Sequence, residues 1–220
     1  MSTENKDLFK QIRTAHRLVV AYYKRLHQVL SSVGKELKME FFVWEPSEYG
    51  RPSRRTGKIL ESWAWDMAPG IVTEYVFRKA SSDKEQKLGD WLLVLHVISD
   101  TAVTNQALIG DVDPLELSPS AEDAQSVLRC YLVAPRKNLN EYWYENIWVR
   151  VRKKIECTDS PEVQSLDGDN EVYGAGFEMD LAELCLENLS LDEPPAVLIK
   201  KIGEYRDVLL EVQKTVGVPL

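Results

Sequence analysis

Leu88-Gly89-Asp90-Trp91-Leu92-Leu93-Val94-Leu95-His96-Val97-Ile98-Ser99-Asp100 is the stretch that decides the fold. An apolar run of this length with β-branched residues fits a strand covered on both faces, which places it in the middle of a sheet. Periodicity alone leaves a buried helix open. Gly89-Asp90 before the run and Ser99-Asp100-Thr101 after it favour the strand.

Upstream, Phe9, Ile12, His16, Val19, Tyr23, Leu26, Leu30, Val33 and Leu37 recur at spacings of three and four. Leu8, Ala15, Tyr22 and Val29 widen the same stripe, so the spacing predicts one long helix from about Glu4 to Lys38. Its apolar face needs a cover: the chain's own sheet as the first expectation, with the C-terminal helix or a second copy through a coiled coil as alternatives. Strands are expected at Met39–Trp44, Ile59–Met67 and Ile71–Arg78, the last two joined as a hairpin at Ala68-Pro69-Gly70 with Trp63 opposite Val76 and Glu61 opposite Arg78.

Downstream, Ser120 is a candidate cap for a short helical turn through Asp123. Val127–Val133 reads as a strand. Between Glu141 and Ile155, Ile147, Val149 and Val151 alternate with Trp148, Arg150 and Arg152, which predicts a strand with one basic face. Glu171–Glu178 reads as the last strand and Leu181–Leu189 as a short helix. After Pro194-Pro195, Leu198, Ile202, Tyr205, Leu209, Val212 and Val216 mark a C-terminal helix. The expectation is a single α+β domain over residues 1–220, with a largely antiparallel sheet of about six strands between two long helices.

The composition, 44% hydrophobic and 28% charged, is that of a folded soluble chain. The N-terminal residues carry neither a secretory signal nor a membrane span, so the cytoplasm is the expected compartment and no membrane partner is expected. Cys130, Cys157 and Cys185 are odd in number and widely spaced, which suits reduced thiols. Charge is segregated. Between Ile155 and Ile199 lie twelve acids and no Lys or Arg, while the rest of the chain holds 27 basic against 23 acidic residues (35 minus 12).

No stretch spells a cofactor loop or a catalytic triad, and no cofactor is expected. His16 and His27 are eleven residues apart on one helix face, ~16 Å, too far to share a metal ion. His96 and Asp100 lie ~13 Å apart along a strand. All three histidines are therefore read as structural, His16 at a core position of the stripe. Asp167, Asp169, Glu171 and Glu178 have the spacing of a calcium loop, but Val172 stands where such a loop needs glycine, so a polar turn is the simpler reading.

Three functional readings follow. The first is a non-enzymatic interaction module of the inhibitor, immunity or adaptor type, docking a basic protein through Asp167, Asp169, Glu171, Asp180, Glu183 and Glu187. The second is a metal-dependent nuclease or phosphoesterase in which Glu61, Glu74, Asp90 and Asp100 converge on the metal and the basic loop from Arg51 to Lys58 handles phosphate. The third is a non-catalytic nucleic-acid-binding protein gripping phosphate with Arg51, Arg54, Arg55, Lys58, Arg150 and Arg152. The competing account of those cations is that they meet the chain's own acidic block. A homodimer through the helical stripes is compatible with any of the three.

Overall fold

The computed structural model describes residues 3–49, 67–80, 82, 84–106, 113–114, 116–166, 172–184 and 195–216. Six strands form one sheet: β1 (Glu40–Pro46), β2 (Val72–Lys79), β3 (Trp91–Ile98), β4 (Val127–Pro135), β5 (Gln164–Leu166) and β6 (Val172–Asp180). Their order is β1-β2-β3-β4-β6-β5, and every neighbouring pair is antiparallel. With α1 (Thr3–Glu36) and α4 (Ala196–Val216) at the two ends, this is an α+β fold.

The unbroken apolar run of β3 has its cause in this layering, because both faces of the strand are covered. On one face Leu93, Leu95 and Val97 meet Leu26, Leu30 and Val33 of α1 and Leu198, Ile202, Tyr205 and Leu209 of α4. On the other, Leu92 and Val94 meet Trp143, Ile147, Trp148 and Val151. Each of these fully buried side chains contributes roughly 1.5–3 kcal/mol. A third cluster, Tyr49, Val72, Ile98, Val103 and Val127, closes the end of the sheet beside α2 (Thr101–Gln106).

The helix α1 ends in a pair of reversed hydrogen bonds, Met39 N–H to the Gly34 carbonyl and Lys38 N–H to the Lys35 carbonyl, with Lys38 at φ 54°. This is a Schellman stop, which turns the chain directly into β1.

The segment expected as a basic-faced strand at 141–155 is helical instead. A π-helical stretch, Trp143–Trp148, runs into α3 (Val149–Val151) and a 3-10 turn, Arg152–Lys154. Trp143, Ile147 and Val151 stand four apart and are all buried, whereas Val149 is exposed and Trp148 buried, the reverse of what alternation requires. Ile155, at its end, packs straight onto β6: a Cβ on Gly174 would lie 2.9 Å from two Ile155 carbons. Glycine at this position permits the close approach.

The expected hairpin between 59–67 and 71–78 is also corrected. Residues 51–66 lie outside the described residues, but β2 has β1 on one side and β3 on the other, and Val76 is registered with Val43 and Val94 rather than with Trp63. Pro69–Ile71 forms a 3-10 turn in place of the expected type II turn. Ser120 opens a turn rather than a capped helix, its hydroxyl reaching the Asp123 carboxylate at 3.1 Å. The first half of α1 runs past the sheet, so His16 is exposed rather than in the core.

Candidate functional site

Strand register assembles a polar rung on the face covered by the 143–154 segment. Glu45 pairs with Glu74, Glu74 with His96, His96 with Arg129, and Arg129 with Glu178, crossing β1, β2, β3, β4 and β6 at one level. Glu74 is buried, and its carboxylate accepts hydrogen bonds from Trp148 Nε1 (2.8 Å), the Tyr144 hydroxyl (3.2 Å) and Arg152 Nη1 (3.1 Å). Burying a carboxylate is tolerable only with such donors. Burial pushes the Tyr144 phenol up, and the adjoining Glu74 charge adds to the effect, so the hydroxyl stays a donor.

His96 Nε2 lies 3.0 Å from Ser47 Oγ. Burial, reinforced by the Arg129 and Arg152 charges, lowers its pKa to about 4, so the ring is neutral at pH 7. Arg129 Nε binds Glu178 Oε2 at 2.6 Å. Burial pushes the Cys157 thiol up, which keeps it protonated and a poor nucleophile. The rung therefore carries two internally neutralised ion pairs around an uncharged histidine, an arrangement that ties the helical segment and the strands together.

Of the carboxylates expected around a metal, the three among the described residues form no metal-binding group. Glu61 lies outside the described residues, and Glu74 is held as above. Asp90 and Asp100 flank the two ends of β3, ~30 Å apart along the strand. Asp90 Oδ2 accepts the Lys87 N–H at 2.8 Å, and Asp100 Oδ1 accepts the Ala102 N–H at 2.8 Å. Among the described residues no three His, Cys, Asp or Glu side chains form a metal-binding group. Of the expected phosphate-binding cations, Arg51, Arg54, Arg55 and Lys58 lie outside the described residues. Arg150 pairs with Glu141 and Arg152 with Glu74, so each is engaged by an acid outside the 155–199 block.

Of the expected docking acids, Asp167, Asp169, Glu171 and Glu187 lie outside the described residues, and Asp180 and Glu183 are both exposed. Asp180 Oδ1 accepts the Ala182 N–H at 2.8 Å, which starts the 3-10 turn Leu181–Leu184 that carries Glu183. The loop bearing Glu156, Asp159 and Glu162 is pinned to β6: Thr158 N–H donates to the Gly176 carbonyl at 2.9 Å, and the Tyr205 hydroxyl donates to the Thr158 carbonyl. Glu156, Asp159, Glu162, Glu178, Asp180 and Glu183 thus share the β5–β6 margin of the sheet. Arg129 answers Glu178 there, and Lys201 reaches the Glu178 backbone carbonyl and lies over the Phe177 ring, while Glu156, Asp159, Glu162 and Glu183 are exposed and form no ion pair among the described residues.

Between α1 and the β1–β2 edge lies a cavity of about 740 Å³, walled by six rings: Tyr23, His27, Phe41, Trp44, Tyr75 and Phe77. His27 Nε2 and the Tyr75 hydroxyl are 3.0 Å apart in its wall. Burial lowers the His27 pKa and raises that of Tyr23 to about 12, so both remain uncharged at pH 7. The rings were foreseeable as strand and helix residues, but nothing in the sequence brings them together.

No helix among the described residues is long and apolar enough to cross a membrane. No curated protein and no solved structure matches the chain. The family model described as PM0109 matches residues 2–194, a span that takes in all six strands and stops before α4, and the chain therefore belongs to the PM0109 family.

Proposed function

We propose that this chain is a non-enzymatic interaction module of the cytoplasm, of the inhibitor, immunity or adaptor kind, and that its acidic β5–β6 margin docks a basic protein. The observation that carries the reading is the imbalance at that margin, where Glu156, Asp159, Glu162 and Glu183 are exposed and form no ion pair among the described residues, while Arg129 is taken up there by Glu178 and Arg150 and Arg152 are paired elsewhere. Like charges held together on a folded edge repel one another, and a cationic partner relieves that repulsion on binding. The same field speeds capture and selects against acidic partners. The engaged state of Arg150 and Arg152 favours this reading over phosphate binding, and the separation of Asp90 from Asp100 favours it over a shared metal. Asp167, Asp169, Glu171 and Glu187 belong to the docking set in this proposal by their place in the acidic block of the sequence.

Affinity purification from the native host, run in parallel with wild type and an Asp159→Lys, Glu162→Lys, Glu183→Lys variant, tests it. Recovery of one basic protein by wild type and its loss from the variant is expected. Equal recovery by both, or recovery of nucleic acid, contradicts the proposal.

A further inference from the structure

The cavity between α1 and the β1–β2 edge owes part of its aromatic wall to an irregularity in β1. In a regular strand, residues three apart point to opposite faces. Here the register against β2 shifts between Phe41 and Val43. Phe42 and Val43, though consecutive, both pack on the 143–154 side of the sheet, and Phe41 and Trp44 both line the cavity. A bulge that re-aims a side chain in this way is a device found beside binding sites. Phe41 is 49% and Trp44 39% exposed, so the cavity opens to solvent along β1.

The rest of the wall is made of rings set against one another. Phe77 meets Phe41 edge to face at 5.4 Å, and Tyr75 meets His27 the same way at 5.5 Å. Tyr23 is seated on Gly70, where a Cβ would lie 2.7 Å from Tyr23 Cζ. The space they leave, about 740 Å³, has the size of a small-molecule site, in which an apolar wall carries a few placed polar groups.

Those polar groups select the ligand. The paired His27 Nε2 and Tyr75 hydroxyl offer a neutral hydrogen-bonding end. Eight residues further along α1, ~12 Å at 1.5 Å per residue, stands Lys35. It is the one charged side chain in the wall among the described residues, and it is exposed and forms no ion pair with any of them. A quaternary ammonium, the usual guest of an aromatic cage, would meet this ammonium with no carboxylate to offset it. A polypeptide segment would bring backbone N–H and C=O groups against rings that cannot satisfy them. A flat apolar body with one negative charge meets neither penalty.

We propose that this cavity binds a planar aromatic monoanion, its ring body stacked among Phe41, Trp44 and Tyr75, its acidic group at Lys35 and a hydrogen-bonding group at the His27–Tyr75 end. The site is independent of the acidic margin, and each can fail without the other.

The probe is anilinonaphthalene sulfonate, an aromatic monoanion, set against phenylnaphthylamine, which has the same rings without the sulfonate. Fluorescence titration of the full chain is expected to give one site for the sulfonate with Kd of about 10 µM or below. Lys35→Glu should weaken the sulfonate about tenfold and leave the amine within about twofold, a split that a merely structural lysine would not produce. Ser31→Trp, at an exposed helix position in the cavity wall, should abolish binding of both probes at an unchanged thermal midpoint. A wild-type chain that binds neither probe, as one whose own residues fill the space would, overturns the proposal, and so does one that takes the amine alone. Binding that survives Ser31→Trp, which would place the probe elsewhere, or a sulfonate affinity indifferent to Lys35→Glu, overturns it as well.

Discussion

Arg152 Nη1 sits 3.1 Å from Glu74 Oε1, joining residues 78 positions apart, and the two ends of the pair are unequally buried: the Glu74 side chain is 3% exposed and that of Arg152 28%. The inequality decides which substitution does more harm. Arg152→Met strands a buried carboxylate on two neutral donors and is expected to destabilise the fold by roughly 2–3 kcal/mol. Glu74→Gln leaves a guanidinium that water can reach, and should cost about half as much. In urea melts the double variant is expected to fall well short of the sum of the singles; strict additivity would show that the pair is not coupled.

Stability is expected to depend on pH through His96. Its pKa is about 4 in the folded chain against an ordinary 6.5, so the unfolded chain binds the proton first as pH falls. The contribution of the neutral ring is therefore complete above pH 6.5 and is lost progressively toward pH 4, by about 2 kcal/mol between pH 7 and pH 5. His27, lowered by burial, acts in the same direction. Urea melts of wild type and His96→Gln at pH 7 and pH 5 check this: the variant should lose most of the slope, and equal slopes would assign it elsewhere.

Two helix glycines should respond oppositely to alanine. A Cβ on Gly34 would lie 2.6 Å from Phe77 Cε1, a ring held in the core, so Gly34→Ala is expected to destabilise by about 1–2 kcal/mol despite its better helix propensity. A Cβ on Gly203, in the middle of α4, meets nothing within 4 Å. Gly203→Ala should stabilise by up to about 1 kcal/mol, read as a higher thermal midpoint.

The layers were legible in the sequence wherever one period dominated. The unbroken run at Trp91–Ile98 announced a strand covered twice, and the four-three spacings announced α1 and α4. The 143–154 segment was misread because two periods compete there. Ile147, Val149 and Val151 satisfy alternation, while Trp143, Ile147 and Val151 satisfy a helix, and only the burial of Trp148 resolves them. The polar rung left its members in sight as lone polar residues in apolar strands, Glu74, His96, Arg129 and Glu178, but their common level depends on strand order and register, which no local pattern encodes. Likewise the α1 stripe reads the same in both halves, and only the length of the sheet sets where its cover ends.

The acidic margin is tested most directly by the salt dependence of association with the basic protein that the chain captures, measured by stopped flow for wild type and for the Asp159→Lys, Glu162→Lys, Glu183→Lys variant. Steering by this margin predicts that the wild-type association rate falls steeply with ionic strength, and that the variant binds at least about tenfold more slowly at low salt with a much flatter dependence, at an unchanged thermal midpoint. Identical rates and slopes for the two chains would contradict it.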